Sequence, residues 1–258
     1  MPMSRLTIHQ VPCLRDNYAY LLHCPETGAT GALDPSEAEP VLKAAAGSGW
    51  RITHVLNTHH HWDHVGGNGG IKSATGARVI GPEPDRNRIP ELDETVAEGR
   101  PFRLGNAEAT IFFIPGHTKG HMAFWFPESE ALFCGDTLFT LGCGRLFEGT
   151  PEQMWTSLGK LRRLPGETNV YCGHEYTEAN ARFACAIDKD NAALAERAER
   201  VRQARAEGRS TVPASMAEER ATNPFLRADD PKLATAVGMP GAEPVQVFAE
   251  IRRRKDNF

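Results

Sequence analysis

Short apolar runs that stop at a glycine or a polar side chain predict strands along the first part of the chain. Such runs cover residues 5–11, 18–23, 30–34 and 52–57. Three more runs of the same kind cover residues 108–114, 131–134 and 168–172. This pattern predicts a layered core that contains several strands.

Helical spacing of apolar positions predicts helices between and after these strands, at residues 36–46, 151–164, 176–187 and 191–207. Ser36 and Glu39 form a capping-box signature for the first helix, and Thr150 is the predicted cap of the second. Strands and helices alternate up to about His174, and the remaining chain is helical in character. We therefore expect an α/β domain over residues 1–174 and an α-helical domain over residues 175–258.

Residues 59–64 read His-His-His-Trp-Asp-His and follow a predicted buried strand. Neutral imidazole and carboxylate suit zinc, iron or manganese, and their joint burial without a metal would be costly. On an extended loop His59 and His61 point the same way and His60 points away. Asp63 and His64 then approach from another side. The spacing predicts two groups of metal ligands, and a solvated polar loop is the alternative.

Further candidate ligands follow three later strands, each after a glycine. His117 follows the strand at 108–114, Asp136 follows the strand at 131–134, and His174 follows the strand at 168–172. Strands that end in this way can direct side chains towards a common edge of a sheet. One such residue alone would be an ordinary turn residue, but four segments with the same pattern favour a shared metal site.

The composition is that of an ordinary intracellular enzyme. The chain has 258 residues, 40% of them hydrophobic and 24% charged, and a net charge of −4, which argues against nucleic acid as a partner. We find no apolar stretch long enough for a membrane span and no secretion signal in residues 1–12. Six cysteines without regular spacing are expected to be reduced thiols. We expect a cytoplasmic monomer.

The motifs taken together resemble the metallo-β-lactamase superfamily, whose hallmark is His-x-His-x-Asp-His followed by a distant His, an Asp and a final His. More narrowly, the chain resembles the hydroxyacylglutathione hydrolase (glyoxalase II) family. The matching segments are residues 58–68, 115–121, 133–150, 172–176, 222–227 and 252–258. The resemblance implies a four-layer αββα metallo-β-lactamase sandwich with a C-terminal helical domain.

The resemblance also implies two divalent metal ions per chain, with zinc expected and iron or manganese as alternatives. It implies one ion on His59, His61 and His117, a second ion on Asp63, His64 and His174, and Asp136 as the bridge between them. Asp63 and Asp136 are the carboxylates assigned a catalytic role. In the implied reaction, a hydroxide shared by the ions attacks the thioester carbonyl of S-(2-hydroxyacyl)glutathione, such as S-lactoylglutathione. The products are a 2-hydroxy acid and glutathione.

Substrate binding is implied for residues outside the metal motif. In the family, residues that match Arg252 and Lys255 contact glutathione carboxylates, helped by those that match Arg145 and Tyr176. The partner is therefore a small-molecule glutathione thioester. Two positions depart from some family members: Arg145 replaces a frequent lysine, and Phe147 replaces a tyrosine and lacks its hydroxyl group. Without the resemblance, the basic tail would be interpreted as a solvated helix end.

Two other functions compete with thioester hydrolysis. A mononuclear-iron persulfide dioxygenase shares much of the metal motif, but we would not expect it to have the helical tail with Arg252 and Lys255. A non-catalytic metal-binding interaction module is the other alternative. His9, His23 and His54 are expected to be structural. His121 is expected either to support His117 or to begin a strand.

Overall fold

The protein is described by a computed structural model that covers residues 4–258 and divides into two units. The first unit comprises residues 4–113 and Lys119–Gly135, and the second comprises Ile114–Thr118 and Asp136–Phe258. This division does not follow the predicted boundary between residues 174 and 175, which stays a prediction. Within residues 4–258, every helix is too short or too polar to cross a membrane. Residues 1–3 of the segment searched for a secretion signal lie outside the described residues.

The first unit contains a six-stranded sheet in which the strands follow chain order. Its strands are β1 (Thr7–Cys13), β2 (Asn17–His23), β3 (Thr30–Leu33), β4 (His54–Leu56), β5 (Arg78–Pro82) and β6 (Glu94–Val96). The β1–β2 and β2–β3 pairs are antiparallel, and β3 to β6 run parallel to one another. All four predicted strands in this region are present, although β4 is shorter than predicted. Parallel β3 and β4 therefore end at the same edge.

Two helices of the first unit cover this sheet, namely α1 (Ala38–Gly47) and α3 (Asn68–Thr75). Val41 and Ile71 on these helices join Val55 and Val79 of the strands in one buried apolar cluster. The predicted capping box is wrong, because α1 begins after Glu37 and has no side-chain cap. Ser36 Oγ instead donates a hydrogen bond to the Asp63 carbonyl at 2.5 Å, so it fixes the polar loop rather than the helix.

Four antiparallel strands form the other layer of the first unit. They are β7 (Phe102–Leu104), β8 (Ala107–Phe113), β9 (Met122–Phe126) and β10 (Ala131–Gly135). Tyr20 on β2 and Phe133 on β10 pack edge to face, with ring centroids 5.3 Å apart, so aromatic side chains fill the space between the two layers. The predicted strands at 108–114 and 131–134 are confirmed.

The second unit is mainly helical, as the sequence predicts for the carboxyl-terminal part. It contains the hairpin β11 (Leu138–Phe139) and β12 (Gly142–Cys143), the antiparallel pair β13 (Asn169–Cys172) and β14 (Ala214–Ser215), and the helices α4 (Pro151–Leu161), α5 (Thr177–Ile187), α6 (Ala192–Ala206), α7 (Met216–Thr222), α8 (Pro231–Ala236) and α9 (Pro244–Asp256). Thr150 caps α4 in a capping box with Gln153, as predicted for Thr150. Helices α4 and α9 meet through Trp155 and Phe248, whose ring centroids are 6.0 Å apart.

Candidate metal centre

The loop after β4 brings together four of the predicted ligands. The ring centroids of His59 and His61 are 4.8 Å apart, and those of His59 and His64 are 4.2 Å apart. The short helix α2 (Trp62–Val65) carries Asp63 and His64, and Asp63 Oδ2 lies 3.7 Å from His64 Nε2. His59 and His64 are almost completely buried. The first unit thus presents a compact group of imidazole and carboxylate donors.

A residue that the sequence argument missed, Asp34, orients two of these histidines. Its Oδ2 accepts hydrogen bonds from His64 Nδ1 at 3.1 Å and from Thr58 Oγ1 at 2.6 Å. Because the Thr58 hydroxyl donates to Asp34, it accepts a hydrogen bond from His59 Nδ1, which lies 3.0 Å away. The only sequence signal for Asp34 is its position directly after β3, the parallel neighbour of β4.

The turn that carries Asp63 is held from several sides. Asn17 Nδ2 donates to the Asp63 carboxylate and to its carbonyl, both at 3.1 Å. Asn57 Nδ2 donates to the His64 carbonyl at 3.0 Å. A Cβ at Gly67 would lie 2.8 Å from the Pro35 carbonyl oxygen, so a side chain has no room at this position. Asn17, Asn57 and Gly67 together therefore fix where Asp63 and His64 point.

The second unit groups the other three predicted ligands around one carboxylate oxygen. Asp136 Oδ2 lies 3.4 Å from His117 Nε2 and 3.3 Å from His174 Nε2, and all three residues are buried. His117 Nδ1 donates to the Arg145 carbonyl at 2.9 Å. A Cβ at Gly144 would lie 1.9 Å from the Asp136 carbonyl oxygen, so only glycine allows this close approach.

The donor set fits divalent metal ions. In His59, His64 and His117 the Nδ1 atom faces an oxygen of the chain, which places the proton on Nδ1 and the lone pair on Nε2. Histidines that bind metal through Nε2 commonly donate their other ring N–H in this way. Imidazole nitrogen with carboxylate oxygen suits zinc, iron and manganese.

Aromatic rings flank the histidines of the second unit. Tyr176 stacks on His174 with ring centroids 4.6 Å apart and an interplanar angle of 5°. Phe147 meets the His117 ring at a centroid distance of 5.2 Å, and this phenylalanine is 62% exposed. Phe147 therefore presents an aromatic surface to solvent beside a candidate metal ligand.

The predicted substrate-binding cations come together on the second unit. Arg252 Nη2 lies 2.9 Å from Asp256 Oδ1, and Arg145 Nε lies 3.8 Å from the same oxygen. Lys255 Nζ donates to the Ala179 carbonyl on α5 at 3.0 Å. Tyr176 precedes the same helix as its N-cap residue. Two distant segments, the loop at Arg145 and the end of α9, thus place positive charge beside α5.

The remaining histidines have identifiable packing or hydrogen-bonding partners. His60 Nδ1 lies 3.1 Å from the buried Asp85 carboxylate. His121 directly precedes β9, as the strand-start alternative predicts, and its ring stacks on the His59 ring with centroids 4.5 Å apart. His23 stacks on Trp50, with centroids 4.6 Å apart, and His54 packs against Phe102. These contacts agree with structural roles.

Comparison with known proteins first defines the class. Residues 26–174 match the family model described as Metallo-beta-lactamase superfamily, and residues 175–258 match the one described as Hydroxyacylglutathione hydrolase C-terminus. The crystal structure of ETHE1 from Myxococcus xanthus aligns with a TM-score of 0.68 and 26% identity, over 96% of this chain and 90% of that chain. The crystal structure of TTHA1623 in a di-iron-bound form aligns with a TM-score of 0.61 and 25% identity, over 85% of this chain and 100% of that chain. The protein has the metallo-β-lactamase fold with a C-terminal helical region, as the sequence predicts.

A curated relative defines the family more narrowly. The hydroxyacylglutathione hydrolase of Methylococcus capsulatus is 60% identical over 98% of this chain and 99% of that protein. This identity extends over essentially the full length of both proteins, and the carboxyl-terminal family match agrees with it. The chain belongs to the hydroxyacylglutathione hydrolase family.

Proposed function

We propose that this protein hydrolyses thioesters of glutathione with 2-hydroxy acids, such as S-lactoylglutathione. Water adds its oxygen to the thioester carbonyl, the carbon–sulfur bond breaks, and the products are the 2-hydroxy acid and glutathione. The observation that carries the proposal is the grouping of Asp136 Oδ2 with the Nε2 atoms of His117 and His174 in a chain of this family. The match of residues 175–258 favours this reaction over the dioxygenase alternative.

We infer that the predicted ligands hold two divalent metal ions, with zinc expected and iron or manganese as alternatives. One ion would bind His59, His61 and His117, the other would bind Asp63, His64 and His174, and Asp136 would serve both. The donor groups within each unit support this inference, as does the di-iron-bound form named for the related TTHA1623 structure. When bound, the ions would supply a nucleophilic water at neutral pH and polarise the thioester carbonyl.

The residues of the chain would prepare the site before the substrate arrives. Asp136 places one negatively charged oxygen between two imidazole nitrogens, and this charge offsets part of the repulsion between two cations. The Asn17 amide holds the Asp63 carboxylate, and the Asp34 carboxylate holds His64. Donor groups that are already oriented cost little reorganisation during the reaction.

The reaction also requires that the thiolate can leave and that the glutathione moiety is bound. A thiol has a pKa of about 8.5, so a thiolate leaves without a dedicated general acid. The glutathione carboxylates would bind the cations Arg145, Arg252 and Lys255, with Tyr176 beside them. The basic end of α9 contains two of these residues, and its contact with α5 supports the assignment.

Compartment and assembly are further parts of the proposal. We infer a monomer in the cytoplasm, where the glutathione pool keeps thiols reduced. All six cysteines are free thiols, and five of them are buried. Burial raises the pKa of the Cys143 thiol to about 11 and that of the Cys172 thiol to about 12, so these two side chains are poor nucleophiles at neutral pH.

Thiol release from S-lactoylglutathione, recorded together with oxygen uptake, tests the proposal. We expect one thiol and one 2-hydroxy acid per substrate molecule, with no oxygen consumed. Oxygen consumption with glutathione persulfide, combined with no thiol release from the thioester, would support the dioxygenase instead. Inactivity towards both substrates in fully metallated protein would favour a non-catalytic metal-binding module.

A further inference from the structure

Four cationic side chains lie on or beside α9 and α5, and three of them are predicted to bind substrate. The group, called here the cation cluster, consists of Arg145, Arg182, Arg252 and Lys255. Arg182 lies on α5, and neither its position in the sequence nor the family resemblance indicates a role for it. Its neighbours on α5, Ala179 and Phe183, contact Lys255 and so place Arg182 beside the cluster.

Lys255 fixes which face of α5 belongs to the cluster. Its Nζ donates to the Ala179 carbonyl at 3.0 Å and lies 5.3 Å from the centroid of the Phe183 ring. Residues 179 and 183 are one helical turn apart, so they share a face. Arg182 immediately precedes Phe183 and lies three residues after Ala179, which places it on the flank of that face.

The electrostatics of Lys255 agree with this placement. Burial, followed by the positive charges of Arg252, Arg182 and Arg145, lowers the pKa of Lys255 to about 8, while Asp256 acts in the opposite direction. Like charges affect one another in this way only at short range in salt. Arg182 therefore lies near enough to Lys255 for its charge to act on this amine.

Arg252 is largely occupied by the protein itself. Its Nη1 donates to the Cys143 carbonyl at 2.8 Å, its Nη2 donates to Asp256 Oδ1 at 2.9 Å, and its side chain is only 6% exposed. The guanidinium carbon also lies 5.1 Å from the centroid of the Phe225 ring. A carboxylate bound by Arg252 would therefore share or replace these contacts, which makes the more exposed cations near it of interest.

Arg145 and Arg182 are the members that face solvent. Their side chains are 66% and 63% exposed, and each has one long ion pair: Arg145 with Asp256 at 3.8 Å, and Arg182 with Glu178 at 3.7 Å. Exposed pairs of this length contribute little stability and exchange readily for another carboxylate. A guanidinium also offers two parallel N–H groups to a carboxylate.

We propose that Arg182 is a further specificity-determining residue, which binds a carboxylate of the glutathione moiety together with Arg145. This inference rests on the proposed function and adds a residue to its substrate contacts. A thioester without peptide carboxylates gains nothing from Arg182. The residue therefore selects glutathione thioesters over smaller acyl thioesters and does not affect the chemical step.

Steady-state kinetics of the Arg182→Gln variant of the full-length metallated enzyme test this inference. We expect KM for S-lactoylglutathione to rise about 5- to 10-fold with kcat unchanged, because the substrate loses one charged hydrogen-bonding partner. KM for S-lactoyl-N-acetylcysteamine, which has no peptide carboxylate, should not change. Arg182→Lys should retain part of the effect, because it keeps the charge but loses the paired donors.

Arg202→Gln is the matched control, because Arg202 is 67% exposed and pairs with Glu199 on the same helix, outside the cation cluster. It should leave both KM values unchanged. An unchanged KM for the glutathione thioester in Arg182→Gln, or an equal rise for both thioesters, would overturn the role of Arg182. Failure of the proposed function would look different, since the wild-type protein would then cleave neither thioester.

Discussion

Asp34 Oδ2 lies 3.1 Å from His64 Nδ1, and both side chains are almost completely buried. The same carboxylate accepts hydrogen bonds from the Thr58 hydroxyl and backbone N–H. Through Thr58 it also determines the proton position on His59. One buried carboxylate therefore sets the tautomer of two candidate metal ligands, so it controls the metal centre without being one of the predicted ligands.

Asp34→Asn should weaken metal binding. The amide nitrogen of asparagine would donate where the carboxylate accepts, so the favoured proton position on His64 would shift to Nε2. Loss of such a supporting group typically costs about 10- to 100-fold in metal affinity or activity. Metal titration followed by a chelating dye measures this change. The exposed Asp190→Asn is the control, and equal metal affinities in the two variants would contradict the role of Asp34.

Gly144→Ala should displace Asp136. The new methyl group would lie 1.9 Å from the Asp136 carbonyl oxygen and 3.1 Å from His117 Nδ1, so the backbone must move. A displacement of this kind can lower kcat about 100-fold. Thiol-release kinetics and metal analysis of the purified variant measure the effect.

Gly159→Ala provides the comparison, because a Cβ there meets nothing within 4 Å and the residue lies inside α4. Alanine in a helix should leave activity intact and stabilise the protein by about 0.5–1 kcal/mol. If Gly144→Ala kept the metal content and kcat of the wild type, the close approach at Asp136 would have no functional importance.

The KM for the glutathione thioester should rise above pH 8. The pKa of Lys255 is lowered to about 8, first by burial and then by the nearby arginines, so its protonated form predominates only below that pH. Only the protonated amine attracts a carboxylate, and binding is therefore lost as pH increases through this value. Initial rates between pH 6.5 and about 9.5 measure the change. Lys255→Arg should abolish the inflection, and a KM independent of pH in the wild type would contradict the prediction.

Glu219→Ala should destabilise the second unit strongly. Glu219 is fully buried, pairs with the buried Arg197, and accepts hydrogen bonds from Leu141 N at 3.0 Å and Asn223 Nδ2 at 2.9 Å. Removal of one partner from a buried ion pair costs about 3–5 kcal/mol. Urea unfolding measures the change in the free energy of unfolding. Glu199→Ala, which breaks an exposed pair with Arg202, should have no measurable effect, and similar values for both variants would refute the assignment.

The sequence was sufficient to predict the structural features that depend on local residue patterns. The ends of β4 and β13 could be predicted because apolar runs stop there, and His59 and His174 follow them within three residues. Thr150 was predicted correctly as a helix cap, since its partner Gln153 lies only three residues away. Family resemblance added the fold, because its motifs recur along nearly the whole chain.

Features that depend on tertiary contacts were missed or predicted wrongly. Serine is a typical helix-cap residue, but the Ser36 hydroxyl group donates its hydrogen bond to the Asp63 carbonyl, 27 residues away. The stacking of His121 on His59 joins segments 62 residues apart in the sequence, and no local signal reports such a contact. Asp34 was overlooked for the same reason, because a single aspartate after a strand is common and its partners lie in a later loop.

Stepwise metal reconstitution is the most direct measurement of the central claim that two metal ions support thioester hydrolysis. Metal-free protein would be titrated with zinc, iron or manganese while thiol release from S-lactoylglutathione is recorded. We predict that the metal-free protein is inactive and that activity returns and reaches a maximum at two equivalents of metal per chain. Undiminished thioester hydrolysis by protein that contains no metal would contradict the account.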